Sequence, residues 1–229
     1  MKILAVGAHP DDIEIFMFGL LAAFQKRGDE IILCVATDGS AGKIKLNSDL
    51  EKIRQQESIE GLRKLGTPNF LHLQDGNLAG SKNGFQQVKD FIYKIEPDLI
   101  ITHDPFDYHP DHRALSKYVT DAIGFKCPTI FCETLMGINF VPEIYVDITD
   151  FFLLKKEAIL AHKSQNSEKF YNAIKLANRF RSAQCNAPEK NYAEVYRTSK
   201  TFPFTDLRNI IPNTPKIIKF YDNNSKGFL

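Results

Sequence analysis

The sequence predicts an α/β domain built on a mainly parallel, doubly wound sheet with helices on both faces. Three observations lead to that class. Strand-like apolar runs alternate with helical patterns through the first half of the chain. The runs are short and almost wholly apolar, and each link between them can hold a crossover helix. All-apolar strands suit a parallel sheet, where helices exclude water from both sides.

The elements follow in order. "KILAVGA" is the first strand, and "DDIEIFMFGLLAAFQKRG" has the apolar spacing of one helix that stops at Gly28. "EIILCVAT" is the second strand, ended by the turn-rich "DGSAGK". In "SDLEKIRQQESIEGLRKLG", Ser48 stands three residues before Glu51 as a capping box, and Gly66 closes the helix. "NFLHL" and "DLIIT" are further strands, separated by the helix "GFQQVKDFIYKIE", whose end Pro97 marks. Then come a helix over "DHRALSKYVTDAIGF", strands over "TIFCETL" and "EIYVDIT", and a helix over "FFLLKKEAILAHKSQ". From Asn186 onward, Pro, Asn and Lys predict loops with short strands. The expected organisation is one domain over residues 1–229. A Rossmann-like core occupies 1–125, and 126–229 supplies further strands and helices that shape a pocket.

A chain of 229 residues, 43% hydrophobic, is long enough to bury a sizeable core. Its net charge of +1, without a basic or acidic tract, argues against nucleic acid and leaves a small molecule as the expected partner. "IFMFGLLAAF" is too short to span a bilayer, and Met1–Val6 is too short for a signal core. Cys34, Cys127, Cys132 and Cys185 form no C-x-x-C pair and read as reduced thiols, so the expected location is the cytoplasm.

Ligands of an open parallel sheet bind at the carboxyl ends of its strands. Here those ends are followed by "HPDD", "TDGSAG", "QDGN" and "HDPFDYHPDH", an acid in each and histidines in two. Imidazole and carboxylate together suit a borderline cation such as Zn²⁺, and a catalytic zinc takes three protein ligands. Two histidines and one aspartate from "HPDD" and "HPDH" would fill three places and leave aspartates over for proton transfer. The plain alternative for either motif is a helix-capping aspartate in a turn.

These motifs resemble those of the PIG-L/LmbE family of zinc-dependent N-deacetylases. The resemblance is carried by "AHPDD", the "TDG" turn, Arg54 with Glu57, Asp75–Gly76, "DYHPDH", "AHKSQ" at 161–165 and "YAEVY" at 192–196. It implies removal of an acetyl group from an N-acetylated amino sugar. It implies that His9, Asp12 and His112 hold zinc, with Asp11 as general base. His109 would stabilise the oxyanion, while Asp111 orients and charges His109. A homo-oligomer is a further implication. The chain departs from many members where Ile13 precedes Glu14 and where "FMFG" replaces a glycine-rich helix start.

Further residues are substrate-binding candidates. Arg54 and Asp75 could reach sugar hydroxyls or a phosphate, with a surface ion pair to Glu57 or Glu51 as the alternative for Arg54. Tyr108 could close over substrate or anchor its loop. His162 could enter the pocket or sit on a helix surface. His103 could orient a ligand, Asp38 reads as a turn former, and His72 as packed. One rival is an amidase acting on an N-acyl thiol conjugate or another N-acyl small molecule. A nucleotide-binding module is disfavoured, because "VGAHPDD" has one glycine where the dinucleotide fingerprint needs three.

Overall fold

The computed structural model of the chain describes residues 1–41, 49–135, 137–200, 210–215 and 227. Strands β1 (Lys2–Gly7), β2 (Glu30–Thr37), β3 (Asn69–Leu73), β4 (Leu99–His103), β5 (Thr129–Cys132), β6 (Ile144–Asp147) and β7 (Ala193–Thr198) form one sheet. Its order is β3-β2-β1-β4-β5-β7-β6. The first five strands run parallel, and β7 pairs antiparallel with both β5 and β6. Strand order therefore reverses between β1 and β4, where two crossovers leave in opposite directions and open a crevice at the carboxyl ends.

Both faces of the sheet are covered, and alternation along each strand divides the core in two. Ile3, Ala5, Leu33, Val35, Leu99 and Ile101 pack on one side with α1 (Asp12–Phe16), α2 (Phe18–Arg27), α6 (Phe152–Leu160) and α7 (Ser167–Gln184). Leu4, Val6, Cys34, Ala36 and Ile100 point the other way, towards α4 (Gly84–Ile95) and α5 (Pro110–Ile123). α3 (Leu50–Leu62) packs against α6. Ile3 and Leu4 are fully buried, so truncating either to alanine costs about 2–5 kcal/mol.

Three local features differ from the sequence expectation. The first helix is two: Met17 leaves helical geometry at φ −129° and separates α1 from α2. The orphan N–H groups of Gly19 and Leu20 then donate to the distant Glu194 carboxylate at 2.9 and 2.8 Å. Gly19 leaves room for that approach, since a Cβ there would lie 2.4 Å from Ile148. The 18-residue α7 has no counterpart in the sequence reading. Finally, Ser48 lies outside the described residues, and α3 begins with Asp49 at its N-cap without a side-chain cap bond.

Candidate active site and metal centre

The tip of β1 is a strained turn. Asp11 has φ 123°, a left-handed value rare for any residue with a Cβ. Such strain costs about 1–3 kcal/mol and concentrates at functional sites. Two bonds hold the turn: Asp12 N–H donates to His9 O at 3.2 Å, and His9 N–H donates to Asp12 Oδ2 at 2.7 Å. Asp11 and Asp12 therefore project separately as the chain enters α1. From the tip of β4, the loop 104–109 leads to α5, with Pro110 at its first position and His112 in its first turn.

These two loops bring His9, Asp12 and His112 together. His112 Nε2 lies 3.3 Å from His9 Nδ1 and 3.3 Å from Asp12 Oδ1, and His9 Nδ1 lies 3.4 Å from Asp12 Oδ2. A tetrahedral ion bound at ~2.0–2.1 Å sets its ligand edges at about 3.3 Å, which matches the His112 Nε2 separations from His9 Nδ1 and from Asp12 Oδ1, while the other Asp12 oxygen faces His9. Charge gives the same answer. Burial disfavours charge on His9 and His112, yet the surrounding acids win: His9 is raised well above its usual range by Asp111, Asp12 and Asp75, and His112 to about 9 by Asp12 and Asp107. An acid-rich cluster that pulls protons onto its imidazoles is one where a divalent cation can take the protons' place.

Outer contacts fix each donor. Asp107 Oδ2 lies 3.1 Å from His112 Nδ1, and Asp75 Oδ1 and Asp111 Oδ2 each lie 3.3 Å from His9 Nε2. His103 Nε2 lies 3.1 Å from Asp12 Oδ2 and accepts from Ala8 N–H at 3.1 Å. Other groupings around the same point have metal-binding proximity, namely His9, His109 and His112; Asp12, His103 and His112; and His9, Asp75 and Asp111. His103 and Asp111, however, stand behind the wall of a cavity of about 400 Å³ that His9, Asp11, Asp12 and His112 line directly.

Asp11 is the acid left over. Burial raises its carboxyl to about 6, against the opposing pull of Arg54. Arg54 Nη2 reaches Asp11 Oδ2 at 3.4 Å and Pro10 O at 2.9 Å, while Nη1 reaches Asp75 Oδ2 at 3.2 Å and Gly39 O at 2.9 Å. Arg54 is 4% exposed. It is therefore not the surface ion pair with Glu51 or Glu57; it lines the cavity, with both terminal nitrogens engaged by the pocket's own walls and Nε without a hydrogen-bond partner. Asp75 lines the cavity with both oxygens engaged, and Tyr108 lines it with 43% exposure.

Two further expectations are corrected. The Asp111 carboxylate makes no hydrogen bond to His109; it accepts from Gly76 N–H at 2.7 Å and Leu78 N–H at 3.0 Å and faces His9, and its charge favours the His109 cation only as the smallest of several influences. What reaches His109 Nδ1 is the Asp111 backbone N–H, at 3.2 Å. Burial, then the positive charge of His112 and His9, lowers the pKa of His109. His162 is 1% exposed and outside the cavity lining; its Nε2 lies 2.8 Å from Glu14 Oε1, which also accepts from Ser58. Ile13 shifts Glu14 inward by one position, where α3 and α6 cover it.

Some functional positions were missed. Asp107 sits inside the quoted "HDPFDYHPDH", and its spacing of five from His112 was the available signal. Leu135, Ile15 and the stretch Lys163–Asn166 with Lys169 and Phe170 also line the cavity. Lys163, Ser164 and Gln165 fall within the quoted "AHKSQ", whereas Lys169 and Phe170 lie on α7, which has no counterpart in the sequence reading. Among the described residues, no helix is long and apolar enough to cross a membrane.

Comparison with known proteins adds four findings. The family model "PIG-L: GlcNAc-PI de-N-acetylase" matches residues 4–123. A diacetylchitobiose deacetylase of Thermococcus kodakarensis is 25% identical over 193 residues, covering 73% of this chain and 71% of that protein. Among solved structures, the N,N'-diacetylchitobiose deacetylase of Pyrococcus horikoshii superposes with a TM-score of 0.76 at 27% identity, covering 90% of this chain and 88% of that one. GalB, a 4-carboxy-2-hydroxymuconate hydratase of Pseudomonas putida, superposes at 0.77 with 18% identity over 90% of this chain and 98% of that one, which speaks to fold alone.

Proposed function

The chain belongs to the PIG-L family and is a hydrolytic N-deacetylase of N-acetylated amino sugars, and from that premise we propose how its residues divide the work. His9, Asp12 and His112 hold a divalent cation, zinc being the ion their nitrogen and carboxylate donors suit best. Such an ion supplies Lewis acidity, lowering the pKa of water to about 7 and polarising the acyl oxygen. Asp107, Asp75 and Asp111 hold the two imidazoles in orientation from behind.

Asp11 is the general base. It lines the cavity beside Asp12, and its pKa of about 6 leaves it ionised at neutrality yet basic enough to accept a proton. It takes a proton from the attacking water, and the leaving nitrogen must gain one as the C–N bond breaks, so the protonated Asp11 is its nearest source. The amide and one water become acetate and the protonated amine.

His109 acts as a hydrogen-bond donor. With Nδ1 accepting from the Asp111 N–H, the neutral ring carries its hydrogen on Nε2. That tautomer donates to the oxygen that gains charge as the acyl carbon becomes tetrahedral. Tyr108 covers the substrate from the exposed edge.

The observation that carries this reading is the meeting of His9, Asp12 and His112 at 3.3–3.4 Å, with a spare, strained acid beside them. It is tested by acetate release from diacetylchitobiose and other N-acetylglucosamine conjugates by the zinc-loaded protein. Release without metal, or undiminished in Asp11→Asn, contradicts it. The amidase reading gains if released amines come only from non-sugar N-acyl substrates. The four free cysteines, three of them buried, support a reducing compartment such as the cytoplasm.

A further inference from the structure

The cavity's charges are segregated by depth. Its carboxylates, Asp11, Asp12 and Asp75, have largely buried side chains at the floor, where Arg54, His9 and His112 engage them. The rim is different. The segment between α6 and α7, with the first turn of α7, contributes Lys163, Ser164, Gln165, Asn166 and Lys169, and no carboxylate from that segment lines the cavity. The lysines that pair with acids are Lys26, Lys52, Lys117, Lys155 and Lys200. Among the described residues, Lys163 and Lys169 therefore have no carboxylate within ion-pair distance.

The segment is anchored, so its two ammonium groups have a defined base. Glu57 accepts from Ser164 N–H at 2.7 Å and from Ser164 Oγ at 2.6 Å, which ties the rim to α3. Lys163 also borders the shallow groove between α3 and α6 that holds Glu60 and Glu157, whereas Lys169 borders the cavity alone of these two surfaces. A sugar whose acetamide reaches the floor extends its other substituent past this rim.

We infer, on the deacetylase reading above, that Lys163 and Lys169 select amino-sugar conjugates whose attached group carries an anion, a carboxylate or a phosphate, over uncharged conjugates. Two unpaired cations at a pocket mouth attract and hold an anion without disturbing the reaction at the floor, and their effect weakens with salt.

The test compares matched substrates on the zinc-loaded protein. One is an N-acetylglucosaminide of a hydroxydicarboxylic acid, set against its dimethyl ester. A second arm uses N-acetylglucosamine 1-phosphate and a nucleotide-linked N-acetylglucosamine, set against neutral diacetylchitobiose, so that carboxylate and phosphate are distinguished. The expected result is a preference for an anionic member of roughly tenfold or more in kcat/KM, carried by KM and reduced between about 0.05 and 0.5 M salt. In Lys163→Gln/Lys169→Gln the anionic-to-neutral ratio falls towards one, and Lys169→Arg with Lys163 intact keeps it. A purely structural role would lower both rates together and leave the ratio unchanged. Equal or better turnover of neutral substrates by the unaltered protein, or a ratio that survives the double substitution, overturns the inference and leaves deacetylation standing. No acetate release from any of these substrates overturns both.

Discussion

At the floor of the pocket, His9, Asp12 and His112 are 8%, 3% and 3% exposed, and each touches at least two other site residues. At the rim, Lys163 and Lys169 are exposed and hold no carboxylate among the described residues. A buried network tolerates little, because losing one member strands the desolvated partners it leaves behind. An exposed rim residue can change at small cost to stability. The contrast explains how one fold keeps a reaction while its substrates change: the chemistry is locked by mutual burial, and recognition is carried by side chains that nothing else needs.

The contrast can be broken most severely at His112. His112→Ala removes a donor shared by both loops and leaves Asp12 and Asp107 facing an empty place; stoichiometric metal and activity are both expected to be lost, as read by elemental analysis and acetate release. Asp11→Asn comes next. Turnover should fall by about 10²–10⁴-fold with metal retained, because only the proton acceptor is gone. His109→Ala should lower kcat by about 10²–10³-fold, again with metal bound, the usual cost of one oxyanion donor. A smaller effect is expected from Asp107→Ala, which loosens His112 and weakens metal binding by about 10–100-fold in a chelator competition.

The pH profile sharpens the same comparison. Asp11 must be ionised to accept a proton, so activity is present above its pKa and lost as pH falls through it. Burial raises that pKa and Arg54 lowers it. Replacing Arg54 with Gln should therefore move the acid limb of kcat/KM to higher pH; a limb that stays in place or moves down contradicts the assigned base.

Much of the floor was legible because it lies on loops at strand ends, and short apolar strands announce where those ends fall. "HPDD" and "HPDH" advertise imidazole and carboxylate within four residues each, and the sheet order places them at the β1–β4 reversal. Roles that depend on side-chain direction were not legible. Asp111 is adjacent in sequence to the residues around His109, yet its carboxylate turns to Gly76, Leu78 and His9. Arg54 and Glu57 share one helix, but one turns under the pocket to Asp11 and the other outward to Ser164. The break at Met17 escaped notice because the carboxylate that takes up the freed N–H groups, Glu194, lies about 175 positions downstream. Only part of the rim was legible: "AHKSQ" covers Lys163, but Lys169 lies on α7, where apolar positions are irregularly spaced and Leu176 and Phe180 remain exposed.

The central claim is that one cation sits between the β1 and β4 loops. X-ray absorption at the zinc edge on the purified, zinc-loaded protein tests it most directly, alongside the His9→Ala and His112→Ala variants. The account predicts one equivalent of zinc with nitrogen and oxygen neighbours at ~2.0–2.2 Å, and loss of the imidazole signal with the metal in either variant. Sulfur neighbours at ~2.3 Å, or a spectrum unchanged when both histidines are replaced, would place the ion elsewhere and end the argument.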